Sequence, residues 1–205
     1  MKSESLTPWR LTAFISIAAL LLGLSGCMGA SSRQAPTQLD LGAAAPTPAG
    51  ALTANPPVTV PAASSAALLN ETMVIWRLGD QGQPQAYTTY QWVAPPARLV
   101  TQKLIDRLSL QGAVLTQNVG GDLPQVRLTL QRFEQTFTPD GTSSQAQLTL
   151  QVVLIKGTKV VDQLLIDLKV PAPTQDAQGG AQALRQASNQ AAEQVAQWLT
   201  TTLKR

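Results

Sequence analysis

Histidine is absent from the 205 residues, and cysteine occurs once, as Cys27. Without an imidazole there is no His-based acid–base chemistry, no catalytic triad and no His-ligated zinc. With one thiol no intramolecular disulfide can form, even in a compartment that would allow it. Charge is sparse, at 13% of residues, and no basic cluster exceeds the final Lys204-Arg205. Nucleic-acid binding therefore has no electrostatic footprint. The carboxylates Glu71, Asp80, Glu134, Asp140 and Asp176 are isolated, and most are expected in turns or caps. Gly120-Gly121 and Gly179-Gly180 lack the spacing and the lysine of a phosphate loop. No serine stands in an elbow-like or Ser-x-x-Lys setting. A catalytic site, a cofactor and a metal centre are accordingly not expected. Nor is a membrane span: the uncharged apolar run Leu11 to Leu24 has 14 residues where a spanning helix needs roughly 20.

That short run has another use. Lys2 and Arg10 precede it and Leu24-Ser25-Gly26-Cys27 ends it, the layout of a cleaved secretory signal. Leu-Ser-Gly-Cys resembles the bacterial lipobox, which implies lipidation of Cys27, cleavage before it and acylation of the new N-terminus. An ordinary signal peptide with an incidental cysteine is the other reading. Residues 1–26 are thus assigned to a lipoprotein signal and 27–36 to the lipidated Cys with a tether, leaving 37–205 as the domain. Removing Lys2, Arg10 and Glu4 from 15 basic and 12 acidic residues leaves 13 and 11, a net charge of +2 on 179 residues. Such a length suits one hydrophobic core. As a random coil, a tether of about ten residues spans roughly 17 Å, which would hold the domain near the membrane surface. Two acyl chains already anchor stably, and three would be effectively permanent. Met28 is not the Asp that commonly marks inner-membrane retention, so the periplasmic face of the outer membrane is the expected address.

Along the remaining chain, Gln38 to Gly42 and Val58 to Val60 read as short strands separated by an Ala/Pro/Gly/Thr-rich loop over 43–56. Met73-Val74-Ile75-Trp76 is apolar on both alternating faces, as in a strand covered on both sides. Ala86 to Trp92 is a further strand carrying Tyr87, Tyr90 and Trp92. At Pro95-Pro96 the period changes. Val100, Leu104, Leu108 and Gln111, widened by Ala97 and Ile105, follow helical spacing, with the prolines in the first turn and Gly112 as a left-handed C′ residue. Ala113 to Thr116 is a brief strand and Gly120-Gly121-Asp122 a turn.

A three-strand antiparallel meander follows. Val126, Leu128 and Leu130 alternate inward, but Phe133 and Phe137 fall in the opposite phase, which predicts a bulge or bend near Arg132. Pro139-Asp140-Gly141 has the chemistry of a tight turn. Ala146, Leu148, Leu150, Val152 and Leu154 are inward against Gln145, Gln147, Thr149 and Gln151. After a turn at Gly157, Val160, Leu164, Ile166 and Leu168 alternate with Lys159, Gln163, Asp167 and Lys169. Asp176 caps a last long helix whose stripe is Leu184, Ala187, Ala191, Val195, Trp198 and Leu203. The fold class is α/β: a mixed, largely antiparallel sheet with two main helices packed on it, in one compact domain.

The order of these features resembles the ABC-type transport auxiliary lipoprotein family. The likeness runs through Leu39-Asp40-Leu41-Gly42, Met73 to Leu78, Tyr90 to Pro96, and Leu128 to Phe137 with its Phe133-Glu134-Gln135-x-Phe137. It ends with Asp176-Ala177-x-Gly179-Gly180-Ala181-x-Ala183-Leu184 and Trp198-Leu199. Where the family's first strand often carries Tyr, this chain has Gln38 and Leu39. The resemblance implies a non-catalytic accessory lipoprotein of an MCE/Mla-like system moving lipids between inner and outer membranes. Its implied partners are the membrane, through the anchor, and a periplasmic MCE-type component; phospholipid is a further candidate, and homo-oligomers are open. Tyr90, Trp92, Pro95 and Pro96, with Tyr87, are the candidate partner surface if exposed; packing of Trp92 under the first helix is the alternative. A structural lipoprotein of another envelope assembly or secretion complex is the rival function.

Overall fold

The change of period at Pro95-Pro96 is the change from strand to helix. In the computed structural model, which describes residues 35–43, 54–117 and 123–204, Pro96 opens helix α1, Pro96–Ser109. A proline there sacrifices no intrahelical hydrogen bond. Val100, Leu104 and Leu108 form the fully buried stripe of α1, as their spacing dictates. The second helix, α2, is Ala177–Thr202, and the Asp176 side chain accepts from the Gly179 N–H at 2.7 Å.

The strands are β1 Thr37–Leu39, β2 Val58–Thr59, β3 Ser64–Ser65, β4 Met73–Leu78, β5 Gln85–Trp92, β6 Val114–Leu115, β7 Gln125–Phe137, β8 Ser144–Lys156 and β9 Lys159–Pro171. They make one sheet running β1-β5-β4-β7-β2-β6, with β3 also against β7, β8 on the other side of β7, and β9 outside β8. The long pairings β4–β5, β7–β8 and β8–β9 are antiparallel. The short ones, β1–β5, β2–β6, β2–β7, β3–β7 and β4–β7, are parallel. The sheet is thus mixed and largely antiparallel, with both helices packed on a single domain. The chain divides into Met1–Ala35 and Pro36–Arg205, and apart from Ala35 the described residues belong to the second unit.

The phase conflict in β7 is resolved by a bulge. Leu130 faces Leu150 and Arg132 faces Thr149, so Gln131 is the extra residue. One added residue shifts the side-chain alternation by one, which sends Phe133 to the same side as Leu130; both are buried. The inward row of β8, from Ala146 to Leu154, is buried throughout and packs with Leu184, Ala187, Ala191 and Val195 of α2. Alanines on that face let the helix lie close to the sheet. Each leucine so buried contributes roughly 1.5–3 kcal/mol.

Several expectations are corrected. Gly112 has no positive φ; a Cβ there would stand 2.5 Å from the Asn55 carbonyl oxygen, and Asn55 donates its N–H to Gln111 at 2.8 Å. Close backbone approach, not a left-handed turn, explains this glycine. Val160 is 66% exposed instead of inward, because β9 has its own extra residue: Leu154 faces Asp162 but Ile155 faces Val160. Gln147 points off the helix side yet is buried, since charged side chains fold over it. On α2 the buried residue of the late stripe is Leu199; Trp198 is half-buried and donates from Nε1 to Asp162 at 3.1 Å. Glu134 is neither turn nor cap but a buried residue inside β7. The Gly120-Gly121-Asp122 turn and most of the 43–56 loop lie outside the described residues.

Candidate functional site

The β4 and β7 strands run parallel and in register at their C-terminal ends, with Trp76 beside Gln135 and Leu78 beside Phe137. β5 flanks β4, and the irregular register between Met73 and Ile75 breaks its alternation, so Tyr87 and Tyr90 lie together. The result is a chain of aromatic rings. Tyr90 meets Tyr87 edge-on at 6.3 Å, Tyr87 meets Trp76 at 6.2 Å, and Trp76 meets Phe137 edge-on at 5.8 Å. These are the separations at which ring quadrupoles attract.

The start of α2 closes one side of this corner. The Tyr87 hydroxyl donates to the Gln135 side-chain oxygen Oε1 at 2.9 Å, and the Gln135 side-chain amide donates to the Ser144 hydroxyl at 2.8 Å. Burial, with Asp176 adding to it, pushes the Tyr87 phenol up to about 12, so it remains a neutral donor. A Cβ on Gly180 would fall 2.2 Å from that same Gln135 oxygen; the absent side chain is what admits the helix. The Gly179 N–H and the Thr174 hydroxyl hold the Asp176 carboxyl below the usual range. Beyond Phe137 opens a cleft of about 480 Å³, lined among others by Asp80, Thr136, Phe137, Ser144 and Pro171.

Across the sheet from the helices, Glu134 receives two guanidinium groups. Arg77 Nε lies 2.7 Å and Arg132 Nε 2.9 Å from its oxygens. Arg132 also donates to Gln147, whose amide reaches Asp80 at 2.9 Å. That bond, and then Lys169, hold the Asp80 carboxyl low. Glu134 is committed to both guanidinium groups and Asp80 to the Gln147 amide, which suits a structural or binding face. Among the described residues no three His, Cys, Asp or Glu side chains gather to hold a metal.

Of the residues singled out from sequence, Cys27 lies outside the described residues. Trp92 is 1% exposed and packs edge-on to Phe133 at 5.5 Å. Pro96 is likewise buried in the first turn of α1. Neither offers a surface. Tyr87, Tyr90 and Pro95 are half-buried and remain accessible. Sequence reasoning missed the polar seam joining the two helices. Lys103 donates to Asn189 at 3.0 Å and to the Ala43 carbonyl, Arg107 pairs with Glu193 at 2.6 Å, and Gln111 donates to Thr200 at 3.2 Å. The signal was present: Lys103, Arg107 and Gln111 recur every four residues, as do Asn189 and Glu193 on α2, which places each set on one helix face.

Comparison with known proteins agrees with this architecture. A crystal structure of a Xanthomonas campestris protein, assigned to the DUF330 family, superposes with a TM-score of 0.69 at 18% identity, covering 81% of this chain and 95% of the other. A second crystal structure, of an uncharacterized protein, gives 0.64 at 15% identity, covering 81% and 99%. At such identities the likeness is one of fold. No curated protein matches the chain. The family model for the ABC-type transport auxiliary lipoprotein component matches residues 38–196, from β1 to the last turns of α2, and the chain belongs to that family.

Proposed function

We propose that this protein is the lipid-anchored, non-catalytic auxiliary component of an MCE/Mla-like ABC transport system that moves lipids between the inner and outer membranes. The observation that carries the reading is the family match over residues 38–196, in a chain whose residues 24–27 resemble a lipobox. Cys27 carries the lipid and holds the protein on the periplasmic face of the outer membrane. The aromatic corner contacts the periplasmic MCE-type component, with Tyr90, Tyr87 and Pro95 as its accessible part. Half-exposed tyrosines suit this role because they bury a large apolar body while keeping a polar tip.

The test is co-purification from detergent-solubilised envelope, using the full chain, Cys27→Ala and Tyr90→Ala, with circular dichroism confirming the fold of each. Cys27→Ala should move to the soluble periplasmic fraction and lose function. Tyr90→Ala should stay in the membrane and capture the MCE-type component about tenfold less well, a typical interface-anchor effect. Full function of Cys27→Ala would sink the anchor role. Capture of an assembly or secretion complex in place of the transporter would favour the structural-lipoprotein reading.

A further inference from the structure

The face of the meander turned away from both helices carries a second cleft. Pro61, Ala62 and Ser64 wall it, and Val153 and Ile155 of β8 form its floor, around a volume of about 540 Å³. Facing residues of an antiparallel pair share one side of the sheet, so Arg127 stands beside Val153 and Gln125 beside Ile155. On the other flank of β8, Val160 is set against Ile155. It is 66% exposed and carries the aliphatic floor out of the cleft to the surface. Arg127 is the one charged residue among those that line the cleft. Its Nε donates to the neutral Gln125 side chain at 2.7 Å, and among the described residues no carboxylate pairs with it. Asp167, further along the same face, takes the Thr149 hydroxyl instead.

We infer that this cleft binds an acyl chain that ends in an anion, with the hydrocarbon on Val153, Ile155 and Val160 and the carboxylate or phosphate on the Arg127 guanidinium. The site itself favours such an occupant over a peptide. β8 is bonded to β7 on one side and to β9 on the other, so the floor offers none of the main-chain donors and acceptors that hold an extended peptide. None of the described residues lining the cleft is aromatic, whereas aromatic anchors dominate protein docking. What remains is aliphatic surface beside one planar guanidinium oriented by Gln125. A flexible chain with a terminal carboxylate or phosphate matches both parts. Ligand clefts of roughly 300–1,000 Å³ combine apolar walls with a few placed polar groups in this way. The inference rests on the lipid-transport reading for where such a molecule comes from, and on the cleft alone for its chemistry.

The test uses the full chain in a nonionic detergent and probes that share one diazirine-bearing acyl chain: a fatty acid, a phosphatidylglycerol and the uncharged fatty alcohol. After illumination, mass spectrometry of the digested protein locates the adduct. Both anionic probes should label residues 61–64 and 153–155, and the alcohol about tenfold less, the loss of one charge-assisted hydrogen bond. Arg127→Gln, a change at an exposed position, should bring the anionic probes down to the level of the alcohol. Tyr90→Ala should leave labelling unchanged. Stronger labelling by the fatty acid would make a free acid the natural source, and stronger labelling by the phosphatidylglycerol a phospholipid; both results sustain the site. Equal labelling by the alcohol, an unchanged yield in Arg127→Gln, or adducts spread evenly over α1 and α2 would overturn it. So would no adduct at all with loss of the MCE-type component from Arg127→Gln, which would make this face a protein interface. The adducts form on the purified protein, so this result is independent of whether the transporter component co-purifies.

Discussion

Gly180 and Tyr87 meet at one oxygen, that of the Gln135 side chain, and each makes a prediction. Replacing a helical glycine with alanine ordinarily stabilises by about 0.5–1 kcal/mol. At Gly180 the added methyl would lie 2.2 Å from the Gln135 oxygen. That oxygen is held in place by the Tyr87 hydroxyl, and the Gln135 amide by Ser144. Gly180→Ala should therefore destabilise, by about 1–3 kcal/mol for overpacking of this kind, read as a lower midpoint in urea. Tyr87 governs the alkaline limit. Its phenol rises from 10.0 to about 12 on folding, so the unfolded chain gives up the proton first. The stability it contributes is whole below pH 10 and is lost as pH climbs toward 12. Tyr87→Phe should flatten that loss; an unchanged alkaline unfolding curve would show that the phenol is not what titrates.

At the scale of elements, α2 depends on how it begins. Asp176 accepts the Gly179 N–H and is itself met by the Thr174 hydroxyl. Its carboxyl is held below the ordinary 3.8. The cap is thus fully present above that value and fades as acid protonates it. Asp176→Ala should cost about 0.5–2 kcal/mol, with Asp176→Asn recovering most of it, measured as thermal midpoints at neutral pH. If alanine and asparagine behave alike, the cap is not what holds the helix start. The β7 bulge shows how much of an element can be legible in advance. Two apolar sets of opposite phase in one strand admit few solutions, and an extra residue at Gln131 is the simplest. The bulge at the start of β9 was not legible, because Val160 and Val161 continue a run that reads equally well as inward.

For the molecule as a whole, the segment 37–43 is part of the domain and not an appendage. Leu41 is 1% exposed. Val93 donates its N–H to Leu39 at 2.9 Å, Arg185 donates to the Asp40 carbonyl at 2.9 Å, and Lys103 reaches the Ala43 carbonyl. β5 and both helices therefore fasten the point where the N-terminal part of the chain enters the fold. Leu41→Ala should cost about 2–5 kcal/mol, as for a core leucine, and should shift one cooperative denaturation curve. A separate early transition would mean that the segment unfolds by itself.

Local spacing along the sequence determined the elements: the two helices, the meander, the β7 bulge, the Asp176 cap and the family likeness. Each rests on periodicity, turn chemistry or motif order within a few residues, which are properties of local chain geometry. The tertiary structure decided which polar and aromatic groups are accessible. Trp92 and Tyr90 stand two residues apart on one strand, yet Trp92 is buried against Phe133 while Tyr90 lies half-open beside Tyr87. Glu134 is buried because Arg77 and Arg132 arrive from β4 and from its own strand. The Lys103 and Arg107 rows are buried because α2 happens to face them. Burial depends on what packs from elsewhere in the chain; the four-residue recurrence of Lys103 and Arg107 marks a shared helix face, but not that another helix covers it.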